Sequence, residues 1–342
     1  MAETMIAGTF GGVGILEITE KPLPTIAKDD WVLIKNEGCG VCGSDLHILA
    51  DPPGFEAAPD VVLGHEFLGR VIEVGSAVTE TKVGDRVAVN PNMTCGKCRY
   101  CKAGLVNHCE NWTTLGLNLD GGFAPYTTAP ESALHPVPED LPFDAAVWIE
   151  PLSCVVNGTD KIAIQPAQTA VVIGAGPIGM IHAMMFKAAG ARVIISDFAP
   201  LRLEMAKKVG IDIVVNGKTD NLDEVVMDYT HGMGAEVVAD AVGSQFGKAV
   251  ELAARGGKIT LFGMNEHAHP PVKQFDITRN ELTVYGTFVS PYTFPRAIQI
   301  LASGIIDPSG LNTLTLPIEK MGDGIAAARA GEAVKVVVVP EV

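Results

Sequence analysis

Basic residues are in short supply. Lys and Arg number 25 against 40 Asp and Glu in 342 residues, a formal net charge of −15. A chain this acidic gains nothing from meeting phosphate backbones, so no nucleic-acid partner is expected. An uninterrupted apolar run is missing too. The most apolar stretch, Ala170 to Phe186, is broken by three glycines, a proline and His182, and it reads as a buried strand, turn and helix rather than a membrane span. The opening MAETMIAGTF has neither the basic nor the apolar region of an export signal, so the expected setting is cytoplasmic, with no membrane partner. Cysteines are few and odd in number, seven in all, and four crowd into one short segment. Without an export signal, that crowding favours metal ligation over disulfides.

What the chain does have is enough apolar content for sizeable cores, 47% hydrophobic against 19% charged, and enough length for two domains. Up to about residue 150 it is rich in Gly and Pro, with short β-prone runs at Trp31–Lys35, Gly69–Val74 and Arg86–Val89. That texture predicts an irregular, mostly β domain. After Pro166 strands alternate with helices of about 10 residues. Strands are predicted at Ala170–Ile173, Arg192–Ile195, Ile213–Val215, Glu236–Ala239, Lys258–Phe262 and Leu282–Tyr285. Helices are predicted up to Ala189 and at Pro200–Val209, Asn221–Tyr229 and Gly247–Ala254. The alternation implies a parallel, doubly wound α/β sheet of the Rossmann kind. A helical stretch, Ile325–Ala330, precedes a last strand, Val334–Val339, which goes with the first domain.

Cys95, Cys98, Cys101 and Cys109 are spaced C-x2-C-x2-C-x7-C. Four thiolates from one loop enclose a tetrahedral Zn²⁺ and leave no open position, the mark of a structural site. An iron–sulfur cluster or spare thiols are the alternatives, and the x7 step does not favour a cluster. The segment Val171–Gly179 reads VVIGAGPIG. Gly174 makes a tight turn, Gly176 lets the backbone approach a pyrophosphate, and Gly179 lets helix and strand pack closely. Pro177 and Ile178 open the helix whose N-terminal N–H groups favour anions. Asp197 ends the next strand, 18 residues after Gly179, where a carboxylate accepts from a ribose 2′-hydroxyl and repels a 2′-phosphate, favouring NAD over NADP. Arg202 is open to three readings: a partner for a 2′-phosphate, a solvated helix residue, or a platform along the adenine.

A third set lies in Gly40–His47, GVCGSDLH, and Leu63–Phe67, LGHEF. Cys42 and His65 are good Zn²⁺ donors, and Glu66 or Glu150 supplies a carboxylate. Three protein ligands with an open position would make a catalytic zinc. From spacing alone each residue also has an ordinary role: Cys42 as a core thiol, His65 and Glu66 as a surface pair, Glu150 as a helix-capping acid.

The order of these boxes over nearly the whole chain resembles the zinc-dependent medium-chain alcohol/polyol dehydrogenases, sorbitol dehydrogenase-like in the GHE and EPLS boxes. The resemblance implies a GroES-like, mostly β catalytic domain of residues 1–153 and 290–342 and a Rossmann NAD-binding domain of residues 154–289. It implies Cys42, His65 and Glu66 as zinc ligands, and Glu150 as an acid that binds the metal or holds its water. Ser44 corresponds to the hydroxyl that passes the alcohol proton, His47 to the relay histidine, and Asp45 to an acid that orients His65. Two zinc ions per subunit, NAD, and a dimer or tetramer follow from it. The implied reaction moves hydride from a secondary alcohol of a polyol or sugar to NAD⁺, giving a ketone, with L-threonine 3-dehydrogenase or butanediol dehydrogenase activity as the alternative. Hydride leaves such a carbon readily only when the attached oxygen approaches an alkoxide, and Lewis acidity at the oxygen supplies that. Specificity residues are expected near Phe55, Leu117 and residues 287–294.

Overall fold

The computed structural model describes residues 3–340. Two compact units divide the chain. One runs to Glu150 and resumes over Pro291–Ala330 and from Lys335 onward; the other comprises Pro151–Ser290 and Gly331–Val334.

The first unit is built on a seven-stranded sheet in the order Asn312–Pro317, Lys335–Val339, Trp31–Gly40, Glu66–Val74, Arg86–Val89, Leu134–Pro136, with Tyr126–Pro130 also pairing along Trp31–Gly40. Trp31–Gly40 is the organising strand. Val32, Ile34 and Asn36 point into the core on the two-residue period of a strand with one buried face. The strand meets Glu66–Val74 antiparallel, pairing Gly40 with Glu66. On its other side Gly40 pairs with Val337 and Cys39 with Val338. The tail strand therefore lies inside this sheet, between Asn312–Pro317 and Trp31–Gly40. A hairpin of Thr4–Gly12 and Ile15–Pro22 was not anticipated, because its second strand is largely solvated and carries no apolar alternation.

The second unit is an all-parallel six-stranded sheet in the order Ile213–Asn216, Arg192–Asp197, Thr169–Ile173, Ala235–Asp240, Ala253–Leu261, Thr283–Gly286. The order reverses direction at Thr169–Ile173, so the crevice at the carboxyl ends of that strand and of Ala235–Asp240 is the place where such sheets bind ligands. The strands read as continuous apolar runs because helices cover both faces. One boundary differs from expectation. The helix predicted to reach Ala254 spans Phe246–Leu252, and Ala253 already pairs with Ala235 in the sheet. Alanine is at home in either element, and the pairing decides. Among the described residues no helix is long and apolar enough to cross a membrane.

Candidate metal and cofactor sites

The four-cysteine loop folds into a thiol nest. One ligand atom from each of Cys95, Cys98, Cys101 and Cys109 lies within 4.8 Å of all the others. The Cys98 and Cys101 sulfurs are 3.5 Å apart and those of Cys98 and Cys109 4.0 Å. A disulfide needs about 2.05 Å. A tetrahedron with bonds of about 2.3 Å to sulfur has edges of about 3.8 Å, so the spacing fits a zinc. Backbone N–H groups point at the sulfurs: Cys95 N donates to Cys109 Sγ at 3.2 Å, Cys98 N to Cys95 Sγ at 3.4 Å and Asn111 N to Cys109 Sγ at 3.3 Å. The N–H groups of Lys97 and Cys98 pull Cys95 down to about 6, thiolate at neutral pH. Burial and the neighbouring Cys98 push Cys101 up to about 12. A dication shared by the four sulfurs would deprotonate all of them.

The second cluster is assembled from separate elements. Cys42 follows the Trp31–Gly40 strand and heads the short helix Gly43–Ile48, which carries Ser44, Asp45 and His47. His65 and Glu66 stand at the start of Glu66–Val74. Strand pairing brings these segments together, and Cys42, His65 and Glu66 each place a ligand atom within 4.8 Å of the other two. Asp45 is fully buried. Its Oδ2 accepts from Cys42 N at 2.8 Å, and its Oδ1 lies 3.6 Å from His65 Nδ1. Both His65 Nδ1 and Asp45 Oδ1 are buried without a hydrogen bond. Burial disfavours a protonated His65, but Asp45, then Cys42, outweigh it and hold its pKa well above the usual histidine range. Burial, then Glu66, pushes the Cys42 thiol up. The pocket thus gathers a thiol, an imidazole and carboxylates whose protonation states depend on one another. Its thiol, imidazole and carboxylate suit zinc.

Ser44 Oγ lies 3.5 Å from Cys42 Sγ. His47 sits one helical turn further on and meets Phe55 edge-on, with ring centroids 6.1 Å apart. Glu150, in the first turn of the helix Ile149–Ile162, is 8% exposed and stands outside the three-residue cluster. It lines a gap shared with Glu66, Phe67 and Phe294.

Sequence reasoning missed Lys335. It is fully buried, donates to Glu66 Oε2 in a very short contact, donates to Val41 O at 3.2 Å, and stands 5.4 Å from the centre of the Trp148 ring. The signal was present: a lysine within the apolar run Val334–Val339 must find a countercharge when the strand is central.

In the other unit the glycine turn joins the strand Thr169–Ile173 to the helix Pro177–Ala188. Gly174 has φ +96° and donates to Ser196 O at 2.8 Å. A Cβ on Gly176 would meet nothing within 4 Å, which leaves a cradle for a pyrophosphate, whereas one on Gly179 would collide with Gly174 O. Pro177 opens the helix Pro177–Ala188, with Ile178 in its first turn. Asp197 Oδ2 accepts from Ala175 N at 2.7 Å, and Oδ1 accepts from Phe198 N and Ala199 N at 2.8 Å. Arg202 reaches to 3.7 Å from Asp197, and its Nε is buried without a partner. A dinucleotide fits this turn.

Comparison with known proteins agrees. The alcohol dehydrogenase GroES-like domain matches residues 28–139 and the zinc-binding dehydrogenase domain residues 177–303. Sorbitol dehydrogenase of Bacillus subtilis is 34% identical over 99% of this chain and 98% of its own length. An L-threonine 3-dehydrogenase of Sinorhizobium medicae is 34% identical over 92% of this chain and 93% of its own. A zinc-binding dehydrogenase from Sinorhizobium meliloti, bound to NADP, superposes with a TM-score of 0.93 at 32% identity, covering 99% of this chain and 100% of the other. The chain belongs to the zinc-dependent medium-chain alcohol/polyol dehydrogenase family. It is an oxidoreductase of that family.

Proposed function

We propose that the protein oxidises a secondary alcohol of a polyol or sugar to a ketone with NAD⁺, using one catalytic and one structural zinc per subunit. The observation that carries this reading is the Cys42, His65 and Glu66 cluster, three different donors converging within 4.8 Å of one another, with His65 and Glu66 buried. A bound zinc supplies Lewis acidity toward the substrate oxygen, and a bound nicotinamide accepts the hydride. Cys42 and His65 would hold the metal together with a carboxylate, and Glu66 is the carboxylate in reach. Asp45 fixes the orientation of His65, as acids behind metal-binding imidazoles do. Ser44, beside Cys42, takes the alcohol proton, and His47, further along the same short helix, passes it toward solvent.

The choice of NAD rests on Asp197. Three backbone N–H groups hold its carboxylate pointing one way, and a carboxylate at that place disfavours a 2′-phosphate. Arg202 lies against the same carboxylate, so its charge is already engaged. A homo-oligomer, dimer or tetramer, in the cytoplasm completes the reading. The open edge of the Thr283–Gly286 strand is a surface on which two copies could pair. The decisive experiment follows NADH absorbance with zinc-replete protein, NAD⁺ and a panel of polyols, sugars, butanediol, simple alcohols and L-threonine. Chelator-sensitive turnover of a polyol or sugar is expected, with NADP⁺ a poorer cofactor. Turnover of L-threonine alone would move the assignment to amino-acid oxidation.

A further inference from the structure

Among the described residues Lys335 is the one fully buried lysine; its ammonium donates to Glu66 Oε2 and Val41 O and stands over the Trp148 ring. It has one carboxylate partner, and that carboxylate belongs to the residue that also places an oxygen within reach of Cys42 and His65. Glu66 is therefore contested between a fixed cation and the position of a metal. The backbone is shaped around the pair. A Cβ on Gly40 would lie 2.7 Å from Lys335 Nζ and would also strike Glu66 Oε2, so only glycine leaves room where the three central strands meet.

We propose that Lys335 is a positioning residue that withholds Glu66 from full coordination, keeping the metal at the Cys42 cluster exchangeable toward substrate oxygen. This rests on the catalytic-zinc reading above. The physical reason is competition. A carboxylate that neutralises a lysine gives less of its charge to a dication, and a positive ammonium nearby lowers the attraction of the whole pocket for one. Removing the lysine's charge leaves Glu66, 2% exposed, with the metal as its nearest cation. The metal then binds more tightly and a carboxylate occupies the position substrate needs. A lysine that merely braced the fold would have the opposite signature, since its loss would loosen the cluster and weaken the metal.

The test titrates Co²⁺ into metal-depleted full-length protein, following Co²⁺ absorption and affinity by chelator competition, with the four-cysteine loop as internal reference. K335M is expected to bind at the Cys42 cluster at least about tenfold more tightly than the parent, with a shifted visible band. K335R, which keeps the charge, should restore the parent affinity, and the E66Q/K335M double variant should lose the gain. If K335M does not fold, K335Q carries the same expectation. Parent-like or weaker binding by the neutral variants, with an unshifted band, overturns the proposal. Failure of the parent to bind Co²⁺ at this cluster at all would instead remove the catalytic-zinc reading and this inference with it.

Discussion

The four-cysteine loop and the Cys42 cluster are both sets of metal donors, yet they are made in different ways. The loop draws its thiols from positions no more than 14 apart, and its own backbone N–H groups prepare the sulfurs. The cluster draws on a strand end, a short helix, a second strand and a tail strand, with 269 positions between Glu66 and Lys335. The loop offers four donors of one kind. The cluster offers three kinds of donor and surrounds them with buried charges, Asp45, Glu150 and Lys335, which hold no common ligand atom with them. A local site stabilises; a non-local one can be tuned, because each surrounding residue arrives on a different element.

Four substitutions sharpen or break that contrast. His65→Ala should abolish most turnover, lowering kcat/KM by about 10³-fold or more, since a catalytic metal contributes several kcal/mol and each 1.36 kcal/mol is a factor of ten. Circular dichroism should stay native and the four-cysteine loop should keep its metal. Full activity in this variant would remove the catalytic role from the cluster. Cys101→Ser should act on stability instead, lowering Tm by roughly 5–10 °C and exposing the 91–115 segment to protease, because loss of a structural metal is among the costlier single changes. Equal effects of the two variants on Tm would erase the distinction. Asp45→Asn should reduce metal affinity or activity by about 10–100-fold, as loss of an acid behind a metal-binding imidazole does; the measurement is zinc retention on dialysis. Cys39→Ala should be the mildest, about 1 kcal/mol by urea unfolding, with unchanged metal content. Cys39 is fully buried and belongs to neither group of donors, and burial raises its pKa well above the usual thiol value, so alkylating reagents should spare it in the native protein.

In the nucleotide-binding unit, Asp197→Ala should narrow the preference for NAD⁺ over NADP⁺ by about tenfold, roughly 1.4 kcal/mol, when KM is compared for the two cofactors. An unchanged preference would place the choice elsewhere, with Arg202 next in line.

The same contrast explains what could be read in advance. The cysteine loop, the glycine turn and Asp197 are legible because each is a local pattern whose chemistry depends on spacing a few residues long. Six parallel strands were legible because continuous apolar runs between helices leave few other arrangements. The hairpin Thr4–Pro22 escaped because its second strand lacks alternation. Glu66 and Glu150 could not be separated by sequence, since both precede or open regular elements in similar acidic boxes. Only the three-dimensional arrangement puts Glu66 with Cys42 and His65 and leaves Glu150 beside the group. Lys335 depended on knowing that its strand is central, and its neighbours in the sheet are nearly the full chain away.

That last strand also fixes a timetable. On the ribosome Cys42, His65 and Glu66 emerge early, and the whole parallel sheet is made before residue 335. Until the tail threads between Trp31–Gly40 and Asn312–Pro317, the nascent pocket carries its acids without their lysine. Docking of the tail strand beside Cys39 and Gly40 is the event that completes the buried Glu66–Lys335 pair.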